Sequence, residues 1–180
     1  MHSVKATDLV TLRRQLADEA PEALEAIRAR MPSELRRVLD ASVASTWLPD
    51  PQIVEIYGHF CAVLHPGVLH PYVQLGRRAA RASYGGVYRI FLAIPSTAFV
   101  IDKAARMWAA YHSSGTATVE EVTSGGALFV VRGAEPIRRE MLDFVSGHIL
   151  ALAELTRARD AKVVVASEGD GIYRWTVRWR

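Results

Sequence analysis

The chain has 180 residues, 50% of them hydrophobic and 23% charged, which is ample for one hydrophobic core and short for two independent ones. Its 22 Lys and Arg stand against 19 Asp and Glu for a formal charge of +3; both signs are spread along the sequence, which speaks against the concentrated basic face of a nucleic-acid binder. A single cysteine, Cys61, excludes an intrachain disulfide and a zinc site of several thiolates, and with no run of about 18 apolar residues and no leader-like start the expectation is a cytoplasmic chain without a membrane span.

The first third reads as amphipathic helices. Thr7 or Asp8 is positioned to cap one through about Ala17, with Leu9, Leu12 and Leu16 at helical spacing. Pro21 suits the first turn of a second, whose Ala23, Leu24 and Ile27 face one way, and a third starts near Ser33 with Leu35, Val38 and Leu39. Ser42 to Leu48 reads as a short strand or extended connection stopped by Pro49. Asp50 then caps a helix with Pro51 at its first position, and Ile53, Ile56, Tyr57, Phe60, Val63 and Leu64 form its buried stripe before His65-Pro66-Gly67 ends it.

A helix from about Pro71 into the eighties carries Val73, Leu75, Ala79 and Ala80, and Ser83-Tyr84-Gly85-Gly86 interrupts the pattern. Val87 to Ile94 is read as resumed helix, although a short apolar run is equally compatible with a strand. From Ser96 a long amphipathic helix presents Val100, Ala104, Met107, Trp108 and Tyr111, and stops before Ser113-Ser114-Gly115. The period then changes to two. Thr116 to Val122 and Ala127 to Arg132 flank Ser124-Gly125-Gly126 as an antiparallel hairpin. Pro136 opens a helix through about Ala158, with Ile137, Met141, Phe144, Val145, Leu152 and Leu155 on a broad apolar face. Lys162 to Ser167 and Ile172 to Trp179 form a second hairpin around Glu168-Gly169-Asp170-Gly171, with Tyr173, Trp175, Val177 and Trp179 alternating with Arg174, Thr176 and Arg178. The order implies an α+β fold, a helical layer packed on a twisted antiparallel sheet, with residues 1–40 an N-terminal helical extension on a 41–180 domain of ligand-binding type.

Trp47-Leu48-Pro49 ahead of a helix, Leu75-Gly76-Arg77, Trp108 before a glycine-linked hairpin, Gly147 in the late helix and the tryptophan-rich last strand resemble an uncharacterised paralogous family of myxobacterial proteins, from about Ala41 onward. More remotely, the layout is similar to the superfamily that contains vinyl-reductase-type sensor domains, haem nitric-oxide-binding domains and TRAPP vesicle-tethering subunits. The resemblance implies helices against an antiparallel sheet, an apolar pocket and a tendency to dimerise. It also marks two departures. Vinyl-reductase-type sensors hold zinc through several cysteines, and the haem-binding branch holds propionates with Tyr-x-Ser-x-Arg; this sequence has one cysteine and no such triplet.

Phosphate loops, His-Glu-x-x-His, Gly-x-Ser-x-Gly and Gly-x-Gly-x-x-Gly are absent, so no catalytic residue is assigned, the reading leans away from an enzyme, and the cofactor stays unknown. His59, His65 and His70 cluster around a Pro-Gly break, but His59 and His65 fall on opposed sides of a continuing helix, so no metal site is expected there. Arg77, Arg78 and Arg81 read as a solvated helix face. Cys61 reads as an apolar filler whose surroundings raise the thiol pKa. His148, on the apolar stripe next to Gly147, reads either as a wall histidine that bonds a ligand or as a core histidine satisfied by a backbone carbonyl. Trp108 and Tyr111 with Met107 read as plain core or as the lining of a pocket. Trp47, Trp175 and Trp179 divide between sheet packing and an interface. The functional expectation is a non-enzymatic sensory or small-molecule-binding module whose apolar pocket is walled by Trp108, Tyr111, Phe144 and His148. The alternative is an interaction or dimerisation scaffold that binds a protein partner or a second copy.

Overall fold

In the structure, a computed structural model that describes residues 1–84, 97–156 and 158–180, the helical spacings expected above become packed stripes. Helix α1 (Thr7–Glu19) buries Leu9, Leu12 and Leu16 completely; α2 (Pro21–Arg30) buries Leu24 and Ile27, and α3 (Ser33–Ala41) buries Leu35 and Leu39. Helix α4 (Asp50–Leu64) buries seven residues from Asp50 to Cys61. Helix α1 packs on α5 (Pro71–Tyr84), and α2 packs on α4. The helix expected over 87–94 lies outside the described residues.

Two strands were less legible. Ser3–Lys5 forms β1, paired antiparallel with β2 (Trp47–Pro49) so that Val4 faces Leu48. The periodicity of the sequence gave no strand at Ser3, because three residues hold too little pattern to register. The second half delivers the two hairpins: β3 (Thr116–Thr123) with β4 (Gly126–Arg132), and β5 (Lys162–Gly169) with β6 (Ile172–Arg178). They join through β4 and β6 into one antiparallel sheet of order β3-β4-β6-β5. Phe129 faces Trp175, which in turn faces Val165, so the hairpins share one apolar face. Tyr173, Trp175 and Val177 are buried while Thr176 and Arg178 are exposed, the alternation of a sheet wet on one side.

Helix α6 (Thr97–Tyr111) packs against β3 and β4, and α7 (Arg139–Leu155) against β5. Two bonds tie α7 to the sheet centre: the Trp175 indole N–H donates to the Ser146 hydroxyl at 3.0 Å and to the Leu142 carbonyl at 3.3 Å. On its other side α7 meets α5 backbone to backbone. A Cβ on Gly76 would stand 2.0 Å from the Phe144 carbonyl oxygen, and one on Gly147 would stand 2.1 Å from the Val73 carbonyl oxygen, so the crossing admits only glycine at both places.

Helix α7 begins at Arg139 rather than at Pro136. Its N-cap Arg138 is extended, at φ −65° and ψ 148°, and tertiary hydrogen bonds keep the lead-in out of the helix. The Ile137 N–H donates to the Tyr173 hydroxyl and the Arg138 N–H to the Asp50 carboxylate, each at 3.0 Å. Asp50, expected to cap its own helix, is that helix's first residue and supplies the acceptor for another helix instead. It is 1% exposed, and its Oδ1 has no partner among the described residues. Burial raises its pKa from 3.8 to about 6, with the Arg138 N–H and charge pulling the other way.

Candidate functional site

A half-enclosed cavity of about 280 Å³ lies between α1 and the α6–α7 pair, closed at one end by β1 and the C-terminal turn of α5. The amphipathic stripes of α6 and α7 point one way because residues three, four and seven apart share a helix face. Met107, Trp108 and Tyr111 therefore meet Met141, Phe144, Val145, His148, Ile149 and Leu152 across it, with Phe129 from β4 beneath. Trp108, Tyr111, Phe144 and His148 thus line one cavity. Trp108 is fixed by its indole N–H, which donates to the Ser114 carbonyl at 3.0 Å, and Phe144 is fixed by a stack on Tyr57 with ring centres 4.4 Å apart.

Asp8 breaks this apolar wall from α1. Rather than capping, its carboxylate turns to α7, where Oδ2 is 3.3 Å from His148 Nε2, and its Oδ1 accepts the Ser83 hydroxyl at 3.3 Å. The other ring nitrogen, His148 Nδ1, faces the Phe144 carbonyl at 3.4 Å. Both imidazole nitrogens therefore face acceptors, an environment suited to the doubly protonated ring. Burial alone would push the His148 pKa down, but the Asp8 charge and hydrogen bond, helped by Phe144, hold it above 6.5. Burial would push Asp8 up, and His148 with Ser83 outweighs it to hold the carboxyl below 3.8. The site thus sets a carboxylate and an imidazole within ion-pair distance, each favouring the charged form of the other. The His148 ring meets a backbone carbonyl and also faces the cavity.

A second polar feature comes from the chain start. His2 is fully buried; its Nδ1 is 2.9 Å from the Ser114 hydroxyl and its Nε2 is 3.1 Å from His112 Nδ1. His112 lies flat on Trp108, ring centres 3.6 Å apart and 4° from parallel. Burial, then the neighbouring His2 and His148, hold His112 well below 6.5, and burial lowers His2. Two neutral rings thus share one proton position between them, and the Ser114 hydroxyl, which accepts the Glu135 N–H at 3.0 Å, orients the chain. Strand β1 is held there by an isolated bridge between Val4 and His112.

The remaining sequence candidates lie elsewhere. No group of three His, Cys, Asp or Glu side chains among the described residues is arranged to hold a metal, and His59, His65 and His70 do not converge. Arg77 and Arg81 both pair with Glu154 of α7, and Arg78 bonds Gln15 and approaches Glu19 of α1. These arginines join helices rather than standing as a free solvated face. Cys61 is buried, which pushes its thiol up to about 12. Trp175 is wholly buried, the Trp179 indole donates to the Ser124 carbonyl at 2.9 Å, and Trp47 is 44% exposed beneath the Lys5 ammonium. No helix among the described residues is long and apolar enough to cross a membrane.

No family model matches the sequence, and no curated protein matches it. Solved structures do match in shape. An Fe(II) unliganded H-NOX protein from K. algicida is 9% identical with a TM-score of 0.64, over 98% of this chain and 96% of that one. The Shewanella oneidensis H-NOX domain in its Fe(II)CO state, determined by NMR, is 8% identical with a TM-score of 0.67, over 98% of each chain. An oxygen-binding H-NOX domain related to soluble guanylate cyclases is 16% identical with a TM-score of 0.58, over 97% of this chain and 91% of that one. This is a likeness of fold across nearly the whole length, in agreement with the α+β architecture expected from the sequence.

Proposed function

We propose that the chain is a non-enzymatic sensory domain that binds a small molecule in the cavity between α1 and the α6–α7 pair. One observation carries this reading: a mostly apolar cavity of about 280 Å³ holds one half-buried acid–imidazole pair, Asp8–His148. Close packing leaves few voids larger than a water molecule in an ordinary core, and sites for organic ligands are apolar concavities with a few convergent polar groups. In this reading the first forty residues supply one wall, and a ligand acts by preferring one arrangement of that wall over another.

Haem is the group that the H-NOX neighbours suggest, and His112 gives it one favourable feature. A neutral imidazole bonded through one ring nitrogen, as His112 is to His2, would be able to hold an iron through the other. The rest does not fit. The cavity sits at the lower edge of the roughly 300–1,000 Å³ typical of ligand sites, small for a porphyrin with its propionates. Apart from His148, already paired with Asp8, the only cation on the described lining is Lys5, whose ammonium lies 5.2 Å above the Trp47 ring. The flat face of His112 is covered by Trp108. The described residues do not make a haem site.

The test is occupancy. A ligand bound at one hundred times its Kd stabilises the folded state by about 2.7 kcal/mol, so the melting temperature rises with ligand. Val145→Trp, which fills the cavity from α7, is expected to abolish that rise while leaving the protein folded. A rise that persists in Val145→Trp would place binding elsewhere and overturn the reading.

A further inference from the structure

Within that ligand-binding reading, we propose that the cavity selects a neutral, fused-ring aromatic molecule with one O–H or N–H donor, indole or naphthol in class, and that Asp8 accepts the donor. The charge argument comes first. Asp8 and His148 face each other at 3.3 Å, and the other cation of the described lining, Lys5, is drawn over the Trp47 ring, so an ionised ligand against the apolar wall would lack a free counter-charge. The ligand is therefore neutral.

The hydrogen-bond inventory sets its polarity. Both His148 nitrogens are spent, on Asp8 and on the Phe144 carbonyl. The Thr7 hydroxyl donates to the Ala44 carbonyl and the Thr11 hydroxyl to the Thr7 carbonyl. Asp8 differs. A carboxylate has about four acceptor positions, and His148 and Ser83 occupy only two. Asp8 thus has acceptor positions to spare, so a ligand that covers it and offers no donor strands a partly desolvated carboxylate. Leaving such a group unmet weakens binding. The ring follows from the opposite wall, where the thioethers of Met107 and Met141 stand with Phe129 and Phe144 around the space. Soft sulfur at an aromatic edge and offset aromatic faces both favour a flat π-system over an alkyl chain. The volume limits it to a small fused ring.

Calorimetry with indole, N-methylindole, octanol and haemin separates the outcomes. N-methylindole keeps the ring and loses the donor, so indole is expected to bind about tenfold tighter or more. In the double variant Asp8→Leu with His148→Leu, which replaces the pair by apolar side chains and so keeps the site packed, that preference is expected to vanish. Indole and N-methylindole binding equally would overturn the proposed role of Asp8, and octanol binding tighter than indole would overturn the aromatic class; both would leave the ligand-binding reading in place. A haemin complex with a Soret band that Val145→Trp abolishes would overturn the inference in favour of haem. Silence from every probe would overturn the inference and count against the ligand-binding reading itself.

Discussion

Buried Asp50 and the half-buried Asp8–His148 pair have different consequences for pH. Asp50 is raised from 3.8 to about 6, so the folded state holds its proton more tightly than the unfolded chain. Its favourable contribution is complete below pH 3.8 and is lost as the pH rises to about 6, a swing of about 3 kcal/mol at 1.36 kcal/mol per unit. Denaturant melts of Asp50→Asn between pH 4 and 6.5 are expected to show a gain over the wild type that grows with pH; a difference independent of pH would contradict this. The pair behaves otherwise. Asp8, lowered, stabilises above 3.8 and is lost on acidification, while His148, raised, stabilises below 6.5 and is lost as the pH climbs through its folded value. The stability difference between wild type and the Asp8→Leu, His148→Leu variant is therefore expected to peak between those limits and to fall on both sides. A monotonic difference would mean that the two groups are not ionised together.

At the scale of elements, the α5–α7 crossing is the feature most sensitive to a single atom. The space that a methyl would need at Gly76 or Gly147 is filled by main-chain carbonyls, which cannot rotate away as a flexible side chain can. Gly147→Ala is expected to cost about 3 kcal/mol or more, the upper end for overpacking, and to lower the melting temperature by about 6 °C or more in a chain of this length. Calorimetric scanning would check it, and a loss below one degree would mean that the helices separate freely. The close approach at Gly147 was legible because a glycine in the middle of an amphipathic helix has few other uses. The start of that helix was not. Pro136 has the right chemistry for a first turn, and only the remote partners Asp50 and Tyr173 show why the chain stays extended for three more residues.

For the whole molecule, the layers were readable from period alone: 3.6 through the helices, two through the hairpins, with turn residues between. The four cavity residues named from sequence came from the same periodicity, since a shared helix face is a local property. What could not be read was contact between distant segments. Asp8 carries the residue type and position of a helix cap, and nothing near it in sequence announces His148, 140 positions later. His2 and His112 are likewise separated by 110 residues, and the strand that joins them is three residues long. Sequence therefore outlined the apolar walls and His148, and missed Asp8, the partner that gives that histidine its chemistry. The glycine crossing links these scales mechanically. With bare main chain against main chain, α5 and α7 have no compliant layer between them, so a sideways push on α7 from the cavity is passed to α5 without being absorbed. Ser83 and Arg78, which reach α1, ride on α5, so the same push arrives at the opposite wall, and the two sides of the cavity respond as parts of one lever.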